Sequence, residues 1–258
     1  MNRLSTCSRL AVPVVCFLIL AVTGRAEFQR TLQVLENKMP ELHKAEVGGL
    51  VDYTEYADKY GSGSAMRETV YGRFGLLPNL TVFGAVPYME TDPKGSTGQN
   101  GFADLRLGAA LLAYEDIFRY PYVIPHVEVS FPTGDQDKGT GAGEVMANFG
   151  VSCGTTVEDV YHFVVDGGVQ VGAKDENRDD HIASLGGALI WDLSDQFSVL
   201  GEARVTSEDT KGDGTPWYVE GGMVYKGTDS FQIGAYVGHW ENNPEDMIAT
   251  AKIAYKFE

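Results

Sequence analysis

From about residue 46 to the C-terminus the side chains alternate between apolar and polar in one run after another. A period of two is the signature of β-strand, because successive side chains leave opposite faces. The stretch 101–135 shows it most fully. In 102–114, Leu105, Leu107, Ala109 and Leu111 take one face while Asp104 and Arg106 take the other. In 122–131, Val123, Val127, Val129 and Phe131 oppose His126, Glu128 and Ser130. A short connector joins the two runs into a hairpin, and the chain repeats such units to its end.

Twelve runs read as strands: 46–56, 65–74, 80–89, 102–114, 122–131, 143–154, 161–171, 181–191, 196–207, 216–226, 230–240 and 247–257. The links between them are sorted. Those at 57–64, 90–100, 132–142, 173–180, 208–215 and 241–246 are longer, polar and acidic or Gly-rich, and those at 75–79, 115–121, 155–160, 192–195 and 227–229 are shorter. Short turns on one side and long loops on the other mark outer-membrane barrels, whose even strand count leaves both termini on the same side. In the last run, Met247, Ala249, Ala251, Ile253, Tyr255 and Phe257 form a lipid-compatible face. Ile248, Thr250, Lys252, Ala254 and Lys256 form a wetter one. A strand of about 11 residues at 3.3 Å each, tilted about 45°, rises roughly 25 Å, the height of an outer-membrane apolar band. Aromatic residues near strand ends suit the two interfaces: Tyr53, Tyr56, Phe74, Tyr88, Tyr114, Tyr122, Phe131, Trp191, Trp217, Trp240 and Tyr255. The expected fold is all-β, a twelve-stranded antiparallel transmembrane barrel of the outer-membrane type with a short N-terminal helical segment.

The first residues read as a cleaved secretory signal: Arg3 and Arg9, an apolar run over 10–22, and Gly24-Arg25-Ala26 as the cleavage site. The expected division is 1–26 signal peptide, 27–45 N-terminal periplasmic or plug segment, and 46–258 barrel. In the second part Phe28, Leu32, Leu35, Met39 and Leu42 recur at helical spacing, and Pro40 breaks the pattern near its end. Loss of the leader takes three of the 20 basic residues and none of the 36 acids, leaving a net charge near −19. That balance excludes nucleic acid as a partner, since such binding rests on Lys and Arg neutralising phosphates. Of three cysteines only Cys153 remains, so the mature chain carries no intrachain disulfide.

With apolar faces to lipid, the opposite faces bring Arg67, Tyr71, Arg73, Asp104, Arg106, His126, Glu128, Asp166, Glu202, Arg204, Glu220 and Lys252 to the lumen. Charge at membrane depth has to be paired or wet, so these residues either stiffen a filled barrel or line a pore. No catalytic residue is expected. His126 and Ser130 share a face but stand about 13 Å apart at 3.3 Å per residue, too far for a nucleophile and its base. Neither a metal nor a cofactor is expected. The loop Asp135-Gln136-Asp137-Lys138-Gly139 starts like a calcium loop but has Gly at its fifth position and Met146 at its twelfth.

Gly101-Phe102-Ala103-Asp104-Leu105-Arg106-Leu107-Gly108 is similar to a G-x-G-D-L pattern, and Phe131-Pro132-Thr133-Gly134 to a P-T-G pattern. Both belong to the family called the putative meta-pathway of phenol degradation, a group of outer-membrane barrels that the chain resembles over its mature length. Ala103 stands where the family has Gly. Residues 71–76 and 80–87 fit the family's preceding strands. The resemblance implies a porin-like uptake or export route for small, aromatic or apolar molecules in the Gram-negative envelope. The expected partners are outer-membrane lipid and lipopolysaccharide, the barrel-insertion machinery and a small-molecule solute. Two other readings stand beside it: a non-transporting structural or surface-binding outer-membrane barrel, and a soluble periplasmic ligand-binding β-barrel.

Overall fold

The computed structural model describes residues 29–56, 62–95, 97–116, 121–172, 181–207, 214–243 and 245–257. The expected signal peptide and the expected link at 173–180 lie outside the described residues. The strands are β1 (Ala45–Tyr56), β2 (Gly63–Leu77), β3 (Leu80–Pro93), β4, β5 (Tyr122–Phe131), β6 (Met146–Val157), β7 (Tyr161–Val171), β8 (His181–Asp192), β9 (Phe197–Thr206), β10 (Trp217–Thr228), β11 (Phe231–Glu241) and β12 (Glu245–Phe257). β4 runs in three pieces, Gln99–Phe102, Leu105–Leu111 and Tyr114–Glu115, which share β3 and β5 as neighbours. Each strand pairs antiparallel with the next, and β12 returns to β1 from Ala45↔Phe257 to Tyr56↔Glu245. The result is a closed barrel of twelve strands.

Burial is inverted relative to a soluble protein. Glu46, Asp166, Glu202, Glu220, Lys252 and Lys256 are buried, whereas Val70, Leu185, Met223 and Val237 are each more than half exposed. Charged groups are almost never buried in water-soluble folds unless paired. A ring with polar filling and an apolar skin is made for lipid, and this removes the soluble alternative. The two faces of β12 are the ones its alternation predicts: Thr250, Lys252, Ala254 and Lys256 buried, Met247, Ala249, Ala251, Ile253 and Phe257 exposed.

Several details differ from the sequence reading. β6 begins three residues later than expected, because Ala142 and the turn at Gly143, with φ of 76°, still belong to the preceding loop. It ends later too, since the link to β7 tightens to a turn on Glu158 and Asp159, both with positive φ. Positive φ at two central residues matches the twist of paired strands. Three of the expected belt aromatics face inward: Tyr122 is 2% exposed, Trp240 lines the internal cavity, and Tyr56 pairs across the seam with Glu245, which lines it too. The helix expected within 27–45 is absent, and among the described residues 29–44 run as bends and irregular backbone. Leu32 packs with Val34, Leu200 and Tyr236, while Leu35 and Met39 pack with Ala110, Tyr122 and Ile124. The apolar residues therefore serve two walls of the barrel, not one helix face. Leu42 is exposed and Phe28 lies outside the described residues.

Interior rings lie against glycines of the neighbouring strand. A Cβ at Gly48 would sit 2.3 Å from Tyr71 Cζ, and one at Gly154 2.2 Å from Tyr122 Cζ. These strand glycines are thus sockets for aromatic rings, which lets large side chains fill a narrow lumen. Gly154→Val is expected to cost about 1–3 kcal/mol through overpacking. Gly49→Val, whose new Cβ would find its nearest atom at 3.6 Å, is expected to stay near wild type. The thermal unfolding temperatures of the two refolded variants check this.

Candidate functional site

Residues 29–44 enter the ring from the short-turn end and are held by the barrel wall. Leu32 N–H donates to Glu202 Oε1 at 2.7 Å, and the N–H groups of Gln33 and Val34 donate to Oε2 at 2.8 and 3.2 Å. Arg204 Nη1 donates to the Gln33 carbonyl at 2.9 Å. The Gln29 carbonyl accepts from Lys252 Nζ at 2.7 Å and Gln232 Nε2 at 3.2 Å, and the Arg30 carbonyl from Tyr236 Oη at 2.6 Å. Arg73 Nη2 donates to the Lys38 carbonyl at 2.7 Å. These bonds explain the missing helix. Backbone groups that a helix would pair internally are here paired with buried side chains of β2, β9, β11 and β12. Glu202 lies five residues into β9, so the tip of the segment stands about 12 Å above the short-turn end, near mid-membrane.

The segment is also braced within itself. The Glu36 carboxylate accepts from Arg30 Nε at 3.1 Å, Arg30 Nη2 at 2.9 Å and the Arg30 N–H at 2.6 Å. Arg30 Nη1 reaches Asp192 at the foot of β8, whose carboxylate also accepts from Ser198 Oγ at 2.6 Å and lies 2.7 Å from His162 Nε2. Burial pushes the Glu36 carboxyl up, but the charges of Arg30 and Lys38 outweigh it and hold it below its ordinary value. Burial likewise opposes charge on Arg30, yet Glu36 and Asp192 raise it further above its ordinary value. Such buried pairs are costly to break from one side, since the remaining charge is left without a partner.

Within the ring lies a cavity of about 580 Å³, lined in part by Gln33, Val34 and Leu35 of the segment. Of the residues expected in the lumen, Arg67, Tyr71, Arg73, Arg106, His126, Glu128, Asp166, Arg204, Glu220 and Lys252 line this cavity. The structure brings them together as cross-strand pairs. Arg73 Nη1 stands 3.2 Å from Glu46, Arg67 Nη2 3.6 Å from Glu245, Arg204 Nη2 3.7 Å from Asp166, and Arg106 Nη1 3.9 Å from Glu128. His126 Nε2 lies 3.5 Å from Asp166, which accepts from Ser152 Oγ at 2.6 Å. Glu202 is covered by the segment, and Asp104 does not line the cavity. The partners Glu46, Asp52, Asp192 and Glu245 went unnamed in the sequence reading. Asp52 and Glu46 fall on the inward face of β1 by parity, which is the signal that finds them.

A family model described as "Putative MetA-pathway of phenol degradation" matches residues 49–257. The chain belongs to this family. No curated protein matches the sequence. Among solved structures, it is similar to an outer membrane channel from Pseudomonas putida F1, with a TM-score of 0.68 and 12% identity over 92% of this chain and 100% of that one. The KdgM porin, solved in complex with oligogalacturonate, gives 0.55 and 11% over 83% and 99%. The CymD monoaromatic hydrocarbon channel gives 0.50 and 7% over 84% and 88%. At these identities the likeness is one of fold, and it is the fold of outer-membrane barrels.

The family's two motifs meet in space. Asp104, in the gap between two pieces of β4, accepts from Gly134 N–H at 2.9 Å and from Ala142 N–H at 2.8 Å. Thr133 Oγ1 donates to the Ala103 carbonyl at 3.2 Å and accepts from Leu105 N–H at 2.9 Å. Asp104 thus fastens the long loop at the outer end of β5 instead of facing the cavity. Asp135 closes its own turn by accepting from the N–H groups of Asp137 and Lys138 at 3.1 and 3.3 Å.

The Glu36 carboxyl is held below its ordinary 4.5, so its contribution is full above that value and is lost as pH falls through the lower folded one. Hydrogen-exchange protection of amides 30–38 is therefore expected to hold from neutral pH down to 4.5 and to drop below it. Glu36→Gln is expected to lower that protection at neutral pH and to weaken its response to acid.

Proposed function

We propose that this family member is an outer-membrane diffusion channel for small molecules, aromatic ones foremost, and that residues 29–44 are its gate. The observation that carries the reading is the polar cavity inside the ring, bounded toward the short-turn end by a segment that the wall grips through hydrogen bonds and ion pairs. A gate is built from contacts that water or a solute can replace, and Glu202, Arg204, Lys252 and Gln232 hold backbone groups of this kind. The match to a phenol-degradation family, and the likeness to a channel for monoaromatic hydrocarbons, support aromatic solutes. On this reading 1–26 is removed on export, the insertion machinery engages the aromatic end of β12, and the acidic outer loops face lipopolysaccharide.

The test compares intact protein with a deletion of 27–44, both refolded and reconstituted. Uptake of neutral monoaromatic alcohols into proteoliposomes and single-channel conductance are the two readouts. Deletion is expected to raise both by about tenfold or more, because a gate favoured by ~1.4 kcal/mol or better is open less than a tenth of the time. A folded, inserted deletion protein that passes neither ions nor aromatic solute overturns the channel and leaves a sealed barrel, stiffened by its cross-strand ion pairs.

A further inference from the structure

The wall's hold on residues 29–44 centres on one carboxylate. Glu202 Oε1 accepts from Leu32 N–H, and Oε2 accepts from the N–H groups of Gln33 and Val34. Its partner across β9 and β10 is Glu220, and the two side chains hydrogen-bond each other. Both are buried, Glu202 at 3% exposed and Glu220 at 6%. Ionised carboxylates carry acceptors only, so a hydrogen bond between two of them requires that one be protonated.

Elimination places that proton. Both Glu202 oxygens receive N–H donors, and Glu220 Oε2 accepts from Tyr218 Oη at 2.6 Å. Of the four oxygens, Glu220 Oε1 has no donor among the described residues. Buried polar atoms are nearly always satisfied, and this one is satisfied when it carries the hydrogen itself. The surrounding charges agree. Asp52 of β1, Lys252 of β12 and Tyr236 of β11 face the pair, with Tyr71 of β2 and Glu36 of the segment near Tyr236, and Glu46 and Arg73 near Lys252. Arg67 stands across from Asp52, and Arg204 follows Glu202 by two residues on the same face of β9. The cations nearest the pair are already engaged: Lys252 with the Gln29 carbonyl, Arg67 with Glu245, and Arg204 with Asp166 and the Gln33 carbonyl. A charge on Glu220 would add to those of Glu202 and Asp52 in a site withdrawn from water, where it is costly.

We infer that Glu220 is a neutral carboxylic acid whose Oε1–H donates to Glu202, and that this proton is the latch holding residues 32–34 against the wall. Glu220 is a positioning residue. It acts on the segment through Glu202, keeping that carboxylate charged and aimed at three N–H groups. When the segment leaves and water reaches the pair, the proton passes to water, because a hydrated carboxyl is ionised at neutral pH. Closure takes up one proton and opening returns it. The closed state therefore weakens as pH rises, by about tenfold per pH unit while one proton is exchanged. The inference names what regulates the proposed gate, and its effect on transport rests on that reading.

The test reads the latch on the full-length mature protein in detergent, without any requirement for transport. Infrared difference spectra of wild type against Glu220→Gln are taken at about pH 6, where a carboxyl in water is ionised. They are expected to show the C=O band of one protonated carboxyl. In Tyr218→Phe that band is expected at higher frequency, since Oε2 has lost its hydrogen bond, and this assigns it should Glu220→Gln fail to fold. Exchange protection of the Leu32, Gln33 and Val34 amides, each taken relative to the free-peptide rate at the same pH, is the second readout. In wild type it is expected to fall about tenfold per pH unit from about pH 6 to about pH 8, a range above the one in which Glu36 is lost. Glu220→Gln keeps a donor for Glu202 and has no proton to lose, so its protection is expected to stay high and flat. Glu220→Ala is expected to lose protection at every pH. Absence of the band, wild-type protection that ignores pH, or a slope in Glu220→Gln equal to that of wild type overturns the latch. The last of these assigns the pH response to Lys252. A band and pH-dependent protection in a protein that passes neither ions nor aromatic solute, even after deletion of 27–44, keep the latch and remove the channel.

Discussion

Everything in this molecule depends on the pairing of β1 with β12. A sheet in lipid has no water with which to satisfy the N–H and C=O groups of an open edge, and each such group left bare costs several kcal/mol. Residues 45 and 257 are neighbours across that seam, so the described strands close on themselves. Closure then dictates side-chain chemistry. Every strand has one face to hydrocarbon and one to a narrow interior, and a ring of twelve strands leaves an interior too small to ignore and too large for aliphatic packing alone. The chain fills it with tyrosines seated over glycines and with acids and bases paired from strand to strand.

The interior is therefore polar because the exterior is not, and the conformation of residues 29–44 follows from that. An irregular peptide can live inside the ring only if its own backbone finds partners there, since irregular backbone at membrane depth survives only where protein or water satisfies it. Glu202 provides for three successive N–H groups, and Arg204, Gln232, Tyr236, Lys252 and Arg73 provide for the carbonyls. The polar residues of the barrel wall thus act as the secondary structure of the segment. The same demand that closes the barrel outside is met inside by side chains.

The barrel was largely legible in the sequence because its rule is local: parity along a strand tells in from out, as β12 shows residue by residue. Loop length separated the two ends of the barrel for the same reason. What the sequence concealed is non-local. Leu32, Leu35 and Met39 have helical spacing, but their partners lie on opposite walls, more than seventy residues away in the chain. Tyr122 and Trp240 sit near strand ends, as belt residues do, yet their parity points inward and parity prevails. Asp104 alternates with the lumen residues, but the break in β4 at Ala103 hands it to the outer loop, which only the P-T-G motif hints at. Most lumen residues were found by alternation. Their pairing was not, since a pair such as Arg30 and Asp192 joins elements 162 residues apart.

The covalent link between the N-terminal segment and β1 gives that segment a thermodynamic character of its own. It is a ligand tethered at its receptor. A free peptide with these contacts would be set by its dissociation constant and its concentration, whereas a short tether presents it at an effective concentration in the millimolar range or above. Reclosure is then unimolecular and independent of how many copies the membrane holds. On the gating reading proposed above, a solute that opened the path by taking over one polar contact would have to outcompete a partner that never diffuses away.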